Sequence, residues 1–228
     1  MPLTKTGTGT LDISGTNTYE GSTAVTAGTL LANNTSGSAT GTGSVTVAAI
    51  STLGGTGIIA PALNNSITIS GLLAPGTTGA TAGSDLALIT SGTGNISLST
   101  VTFDIFANTV GTNPLASNDR VLISATDWSN ILFSGSKTLN VSTTLDSTTW
   151  NSGDNWQLFD WSGIAGGTAP TIGSGGFDVF NLPTLNSGLV WDTSALYTTG
   201  IITIAPEPTR ALLLLLGLFG LAMRRRRK

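Results

Sequence analysis

The chain has no cysteine and no histidine, and only 9% of its 228 residues are charged. Without cysteine there is no disulfide framework, so the fold must rest on packing and hydrogen bonds. Secreted and surface proteins that avoid disulfides share this feature with many others, so it does not fix the compartment. Without histidine the commonest general base and the commonest transition-metal ligand are both missing. The net charge is −3, from 9 basic and 12 acidic residues. Five of the basic residues form the C-terminal cluster, which leaves 4 against 12 and a body near −8. An acidic body disfavours nucleic acid, whose phosphates need Lys and Arg. No convincing amphipathic helix is visible. A secretory leader is also missing: Met1-Pro2-Leu3-Thr4-Lys5-Thr6-Gly7 has no apolar h-region and no small-residue cleavage site. The expectation is a truncated or misassigned start, with further repeats and a signal peptide encoded upstream.

What is abundant is Gly, Thr and Ser around short β-branched segments, which argues for sheet. Val25-Thr26-Ala27, Val45-Thr46-Val47 and Ile67-Thr68-Ile69 read as one alternating strand repeated at intervals of 20 and 22 residues. Each is followed by a second apolar unit: Gly28-Thr29-Leu30-Leu31, Ser51-Thr52-Leu53-Gly54 and Gly71-Leu72-Leu73-Ala74. Turns such as Asn33-Asn34-Thr35-Ser36-Gly37 and Asn64-Asn65-Ser66 lie between them. A period near 20 residues with short strands points to a solenoid, whose coils share one core because none can bury its own face. Alternation puts Val45 and Val47 inward and Thr46 outward. The predicted fold is all-β, a right-handed parallel β-helix or β-solenoid; the alternative is an antiparallel sandwich of short strands.

Three segments are expected. Residues 1–83 carry the repeats. Residues 84–204 continue the solenoid with longer strands, at Asn95–Leu98, Val101–Phe106, Arg120–Ile123 and Ile131–Phe133, and with loops at Asn113-Pro114 and Asn118-Asp119. Further strands are predicted at 138–142, 156–161, 177–180, 188–192 and 201–204. Trp150, Trp156, Trp161 and Trp191 gather here, and an aromatic C-terminal cap over the last coil would account for them.

Residues 205–228 form the third segment. A stiff Pro206-Glu207-Pro208 knuckle comes first. The apolar run Ala211-Leu212-Leu213-Leu214-Leu215-Leu216-Gly217-Leu218-Phe219-Gly220-Leu221-Ala222-Met223 follows. Arg224-Arg225-Arg226-Arg227-Lys228 ends the chain as a basic stop. This order is the layout of a single C-terminal transmembrane helix with cytoplasmic cations. Thirteen helical residues cover about 20 Å against a hydrocarbon core of roughly 30 Å, a marginal span suited to temporary retention.

Two resemblances attach to these residues. The tail resembles the PEP-CTERM sorting signal, which implies that the chain is the substrate of an exosortase-type processing enzyme in the membrane; the alternative is an anchor that is never cut. Ser14-Gly15-Thr16-Asn17-Thr18-Tyr19-Glu20-Gly21-Ser22-Thr23, with Val25-Thr26-Ala27-Gly28-Thr29-Leu30 and Gly71-Leu72-Leu73-Ala74-Pro75-Gly76, resembles the autotransporter-associated β-strand repeat, a passenger-type unit. The membrane barrel of autotransporters has no counterpart here. Together the resemblances imply an exported, non-enzymatic surface or extracellular-matrix protein with a structural or adhesive role. It would be held transiently in the inner membrane by contact with lipid.

Enzymatic readings find little support. Asp104, Asp119, Asp127, Asp146, Asp154, Asp160, Asp178 and Asp192 are scattered, most in turn sequences where Asp bonds its own backbone. Carboxylate pairs meeting across coils, as in β-helix glycan-active enzymes, are the alternative. Asn151-Ser152-Gly153-Asp154-Asn155 offers hard oxygens for calcium but lacks a bidentate Glu, so an Asx turn is the plainer reading. No metal or cofactor is expected. Exposed Trp and Tyr would suit an envelope polysaccharide, whereas Trp156, Phe159 and Trp161 read as core. An outward Thr26, Thr46, Thr68 file would give a hydroxyl array of the kind used by ice-binding solenoids.

Overall fold

The structure, a computed structural model, describes residues 1–76, 82–107, 117–169 and 175–207. Pro208, the apolar run and the basic stop lie outside the described residues, as does Asn113-Pro114. Among the described residues no helix is long and apolar enough to cross a membrane.

Parallel strands wind into a solenoid with up to three faces. The first face stacks β1 (Leu3–Lys5), β3 (Thr23–Val25), β5 (Val45–Val47) and β8 (Ile67–Ile69). The second stacks β2 (Thr10–Ile13), β4 (Gly28–Ala32), β6 (Ser51–Gly55) and β9 (Leu72–Pro75). The corner between these faces then straightens: β11 (Ile96–Ile105) is one strand whose halves pair with β8 and β9, and β13 (Ile131–Thr143) continues it. β16 (Val179–Asn181) adds a last parallel rung. The third face begins later, with β7 (Ile58–Ile59), β10 (Asp85–Ile89), β12 (Arg120–Ala125) and β15 (Phe159–Ile164).

Ladder register turns the strand alternation into continuous apolar files. Val25, Val47 and Ile69 stack on the first face, and Leu30, Leu53, Leu73, Val101 and Leu139 on the second, all buried. Each fully buried side chain of this kind stabilises by about 1.5–3 kcal/mol relative to exposure. The first face corrects the repeat boundaries. Thr23, Val45 and Ile67 occupy one register, so the interval is 22 residues in both steps, and Val25 aligns with Val47. Thr26 belongs to the corner, where its hydroxyl donates to Lys5 O at 3.0 Å. The outward file is therefore Thr4, Ala24, Thr46, Thr68 and Ser97, and Ala24 interrupts the expected Thr array. Thr23 and Val25 both face inward, so the strand begins two residues before Val25.

Coils lengthen toward the C-terminus. Ile67, Ile96 and Ile131 share a register at intervals of 29 and 35 residues. The wider cross-section is filled by aromatics. Phe103 meets Phe159 edge-on at 5.0 Å, and Phe159 stacks on Trp161 at 4.5 Å. Two sequence expectations change here. The predicted strand 156–161 is two strands, β14 (Asn155–Gln157) and β15, in different sheets. The closing segment is not another parallel coil: β14, β18 (Ile201–Pro206) and β17 (Leu189–Asp192) form an antiparallel sheet with β18 in the middle. Trp150 and Trp156 are buried under it with half-buried Trp191, ring centroids 4.7–5.7 Å apart. Antiparallel closure pairs β18 within the cap and offers no parallel register to a further coil, which is how an aromatic cap ends the stack.

Candidate functional site

The passenger-type motif residues hold one coil to the next. Asn17 lies at a corner where its backbone N–H donates to Ser38 O (2.9 Å) and its side-chain amide to Ala39 O (2.8 Å). Tyr19 bonds Thr23 Oγ1 through its hydroxyl at 2.8 Å, and Thr23 Oγ1 donates to Thr40 O. Asn34 and Asn65 repeat the device one and two coils on. Asn34 Oδ1 accepts from Ile58 N (2.8 Å), and Asn65 Nδ2 donates to Thr42 O (2.8 Å). Buried corners carry backbone groups with no ladder partner, and a short amide side chain satisfies them from the neighbouring coil. In the first coil, Lys5 shares the inward file of Val25 and Val47. Its ammonium donates to the carbonyls of Thr6 (3.0 Å), Gly7 (2.7 Å) and Ala27 (3.0 Å). A cation thus covers the first corner. Gly28 adjoins it at φ +74°, where a Cβ would stand 2.5 Å from both Gly7 O and Gly9 O.

Three acids far apart in sequence gather at the second-to-third face corner. Asp119 is buried, and its carboxylate accepts from Ser84 N at 3.0 Å. It faces Gly76 (φ +88°), where a Cβ would lie 2.6 Å from either carboxylate oxygen. Burial first, and then the charges of Asp104 and Asp85, push the Asp119 carboxyl up to about 7, against the pull of the Ser84 and Asp104 backbone hydrogen bonds. Asp85 itself is gripped by Arg120, with Nε and Nη2 each 2.9 Å from a carboxylate oxygen, and this contact raises the guanidinium pKa. Arg120 Nη1 also donates to Gln157 Oε1 at 2.8 Å. The Asn118-Asp119 loop signal marks the connection into β12, but this connection is not a surface one. Both residues are buried, and Asn118 bridges to Ile105 and donates to Gln157 O. No local pattern marked this cluster, because Asp104 and Asp119 meet only across a corner of one coil and Asp85 joins them only when the neighbouring coil stacks.

Four other acids behave as turn residues. Asp127, Asp146, Asp160 and Asp192 accept from the backbone N–H two residues on. Each carboxyl is held below its ordinary range by the hydroxyl of that Ser or Thr and then by its N–H, with the N–H leading at Asp127. Asp154 accepts from Asn151 N at 2.8 Å while its own N–H donates to Asn151 O at 3.1 Å, so the expected Asx turn is instead a β-turn that the Asp154 side chain reaches back across. Of the sorting motif, Pro206 and Glu207 are described and exposed. Pro206 pairs with Leu189 as the last rung of β18, and Glu207 N donates to Gly188 O at 2.8 Å.

The passenger-associated transport repeat matches residues 3–32. That stretch runs from β1 through β4 and contains both the Asn17–Thr23 staple and the Gly28 corner. The chain is similar to that repeat over this part of its length, and the coils that follow use the same registers. No curated protein and no solved structure matches the chain.

Proposed function

We propose that this chain is an exported, non-enzymatic surface or extracellular-matrix protein, a β-solenoid with a structural or adhesive role whose C-terminal tail directs its sorting. The observation that carries the reading is the junction at Pro206-Glu207. The cap's last pairings, Pro206 with Leu189 and Glu207 N with Gly188 O, fall on exposed Pro206 and Glu207, so the segment after the motif can be removed without disturbing a buried rung. The passenger-type repeat at 3–32 supports an outward destination. The tail's order of proline knuckle, apolar run and basic stop supports an exosortase-type enzyme as partner, with membrane lipid as a temporary one. Right-handed coiling is part of the same reading, since parallel strand crossovers take that hand in nearly all sheets.

The body is read as a non-enzyme because its gathered acids are neutralised from within. Asp85 is held by Arg120, and Asp119 is buried against backbone N–H. The test is to change Pro206-Glu207-Pro208 to alanines in a cell that has the processing enzyme and to measure the mass of the mature C-terminus. The unaltered chain should lose the segment after the motif and leave the membrane, and the altered chain should stay whole in the membrane fraction. Identical processing of both would overturn the sorting role.

A further inference from the structure

An open cleft of about 480 Å³ lies where the last strand of the third face meets the turn leading into β18. Its volume falls within the roughly 300–1,000 Å³ typical of small-molecule sites. One wall is aromatic. Trp128 is half-buried and leans on Trp161, ring centroids 5.0 Å apart at 49°. Trp161 is fixed by its indole N–H, which donates to Leu196 O at 2.7 Å. Trp128 is anchored by its backbone N–H to Gly166 O, and its own indole N–H has no partner among the described residues.

The other wall is polar and held in place. Gln157 is pinned at both ends, accepting from Arg120 Nη1 and donating to Thr199 O at 3.1 Å. Thr198 and Thr199 both direct their hydroxyl hydrogens to Ala195 O, which leaves oxygen lone pairs as acceptors on two exposed residues. Asp160 accepts from Ser162 N through Oδ1 (2.9 Å) and from the Ser162 hydroxyl, and a carboxylate with about four lone-pair sites still has room for a ligand hydroxyl.

The chemistry narrows the ligand. Asp160 repels an anion, and the nearby Arg120 charge offsets the attraction for a cation. A neutral ligand with an apolar face and several hydroxyls fits both walls. Its C–H face covers an indole, its hydroxyls donate to Asp160 and the threonines, and one hydroxyl oxygen accepts from Trp128. We propose that this cleft binds a neutral saccharide unit, through Trp128 as platform and Asp160 as hydroxyl acceptor. The site names what an adhesive body would hold. It does not depend on the sorting reading, because the binding assay uses purified protein and the sorting assay uses cells.

The full-length protein in mild detergent is applied to an array of neutral glucose-, galactose-, mannose- and N-acetylglucosamine-based oligosaccharides, with uronic and sulfated glycans alongside. Binding is then titrated by tryptophan fluorescence. At least one neutral glycan should bind and perturb the emission. Asp160→Asn keeps the Ser162 contact but removes the charge, and a lost charged hydrogen bond should weaken binding about tenfold or more. Trp128→Ala should abolish it. Because Trp128 also packs on Trp161, Trp128→Phe serves as the fold-preserving partner and should retain part of the affinity. Thr46→Val, on the first face, should change nothing. Absence of binding to every neutral glycan, recognition of acidic glycans alone, or affinity unchanged in both D160N and W128A would overturn the assignment.

Discussion

Exchanging Asp119 for Asn should remove most of the pH dependence of stability between roughly pH 5 and 8, the range in which an ordinary histidine would otherwise titrate. The chain has no histidine to obscure the effect. The Asp119 carboxyl sits at about 7 in the folded protein against 3.8 as its ordinary value. Below the ordinary value both states are protonated and the group adds no slope. Between the two values the folded state keeps a proton that the unfolded state releases, so raising the pH favours unfolding. Above about 7 the penalty is complete. A shift of this size at about 1.36 kcal/mol per unit amounts to ~4 kcal/mol at full burial. Local relaxation around the ionised carboxylate lowers that figure, so ~2 kcal/mol is the expected loss. For a domain of this size that corresponds to a fall in Tm of roughly 4–8 °C. Asn mimics the protonated acid, so Asp119→Asn should hold the low-pH stability across the range and exceed the unaltered protein at pH 8. Urea midpoints at several pH values would show this, and the α-amino group, shared by both proteins, cancels in the difference. Equal midpoints for the unaltered protein at both ends of the range, or a slope that survives in the variant, would refute the reasoning. The acids with depressed pKa act with the opposite sign, and only as the pH falls below the ordinary carboxylate value.

The remaining predictions concern the coil corners and the core file. Gly28→Ala forces a side chain into a left-handed residue and against two carbonyls, and should cost on the order of 3 kcal/mol in a urea titration. Lys5→Met keeps the stem but strips the cation from three carbonyls, and a loss of about 2 kcal/mol with faster amide exchange in β1–β4 is expected. Leu53→Ala opens a cavity between Leu30 and Leu73 and should lower stability by roughly 2–5 kcal/mol, whereas Leu63→Ala, largely exposed, should stay within about 0.5 kcal/mol.

The strand repeat was legible because burial of one face writes itself into a two-residue alternation, as Val45-Thr46-Val47 and Ile67-Thr68-Ile69 show. It failed at Thr23-Ala24-Val25, where a buried threonine looks polar in sequence and only the ladder to Val45 reveals its place. The aromatic end was legible as a cap from the clustering of tryptophans. Its antiparallel order was not, since pairing direction depends on which strand the chain returns to rather than on composition. The Trp128–Asp160 cleft is not legible in the sequence because its walls come from four separate stretches, each of which alone reads as core or turn.

The sequence by itself determined that this protein is built from stacked β-coils with an apolar interior and glycine and asparagine corners, because periodicity and turn chemistry are local properties. Only the tertiary structure decided which residues meet across coils: the acids around Asp119, the lysine over the first corner, the cleft beneath Trp128. Those contacts join residues tens of positions apart, and their distances are set by coil length and register, which no short window of sequence encodes.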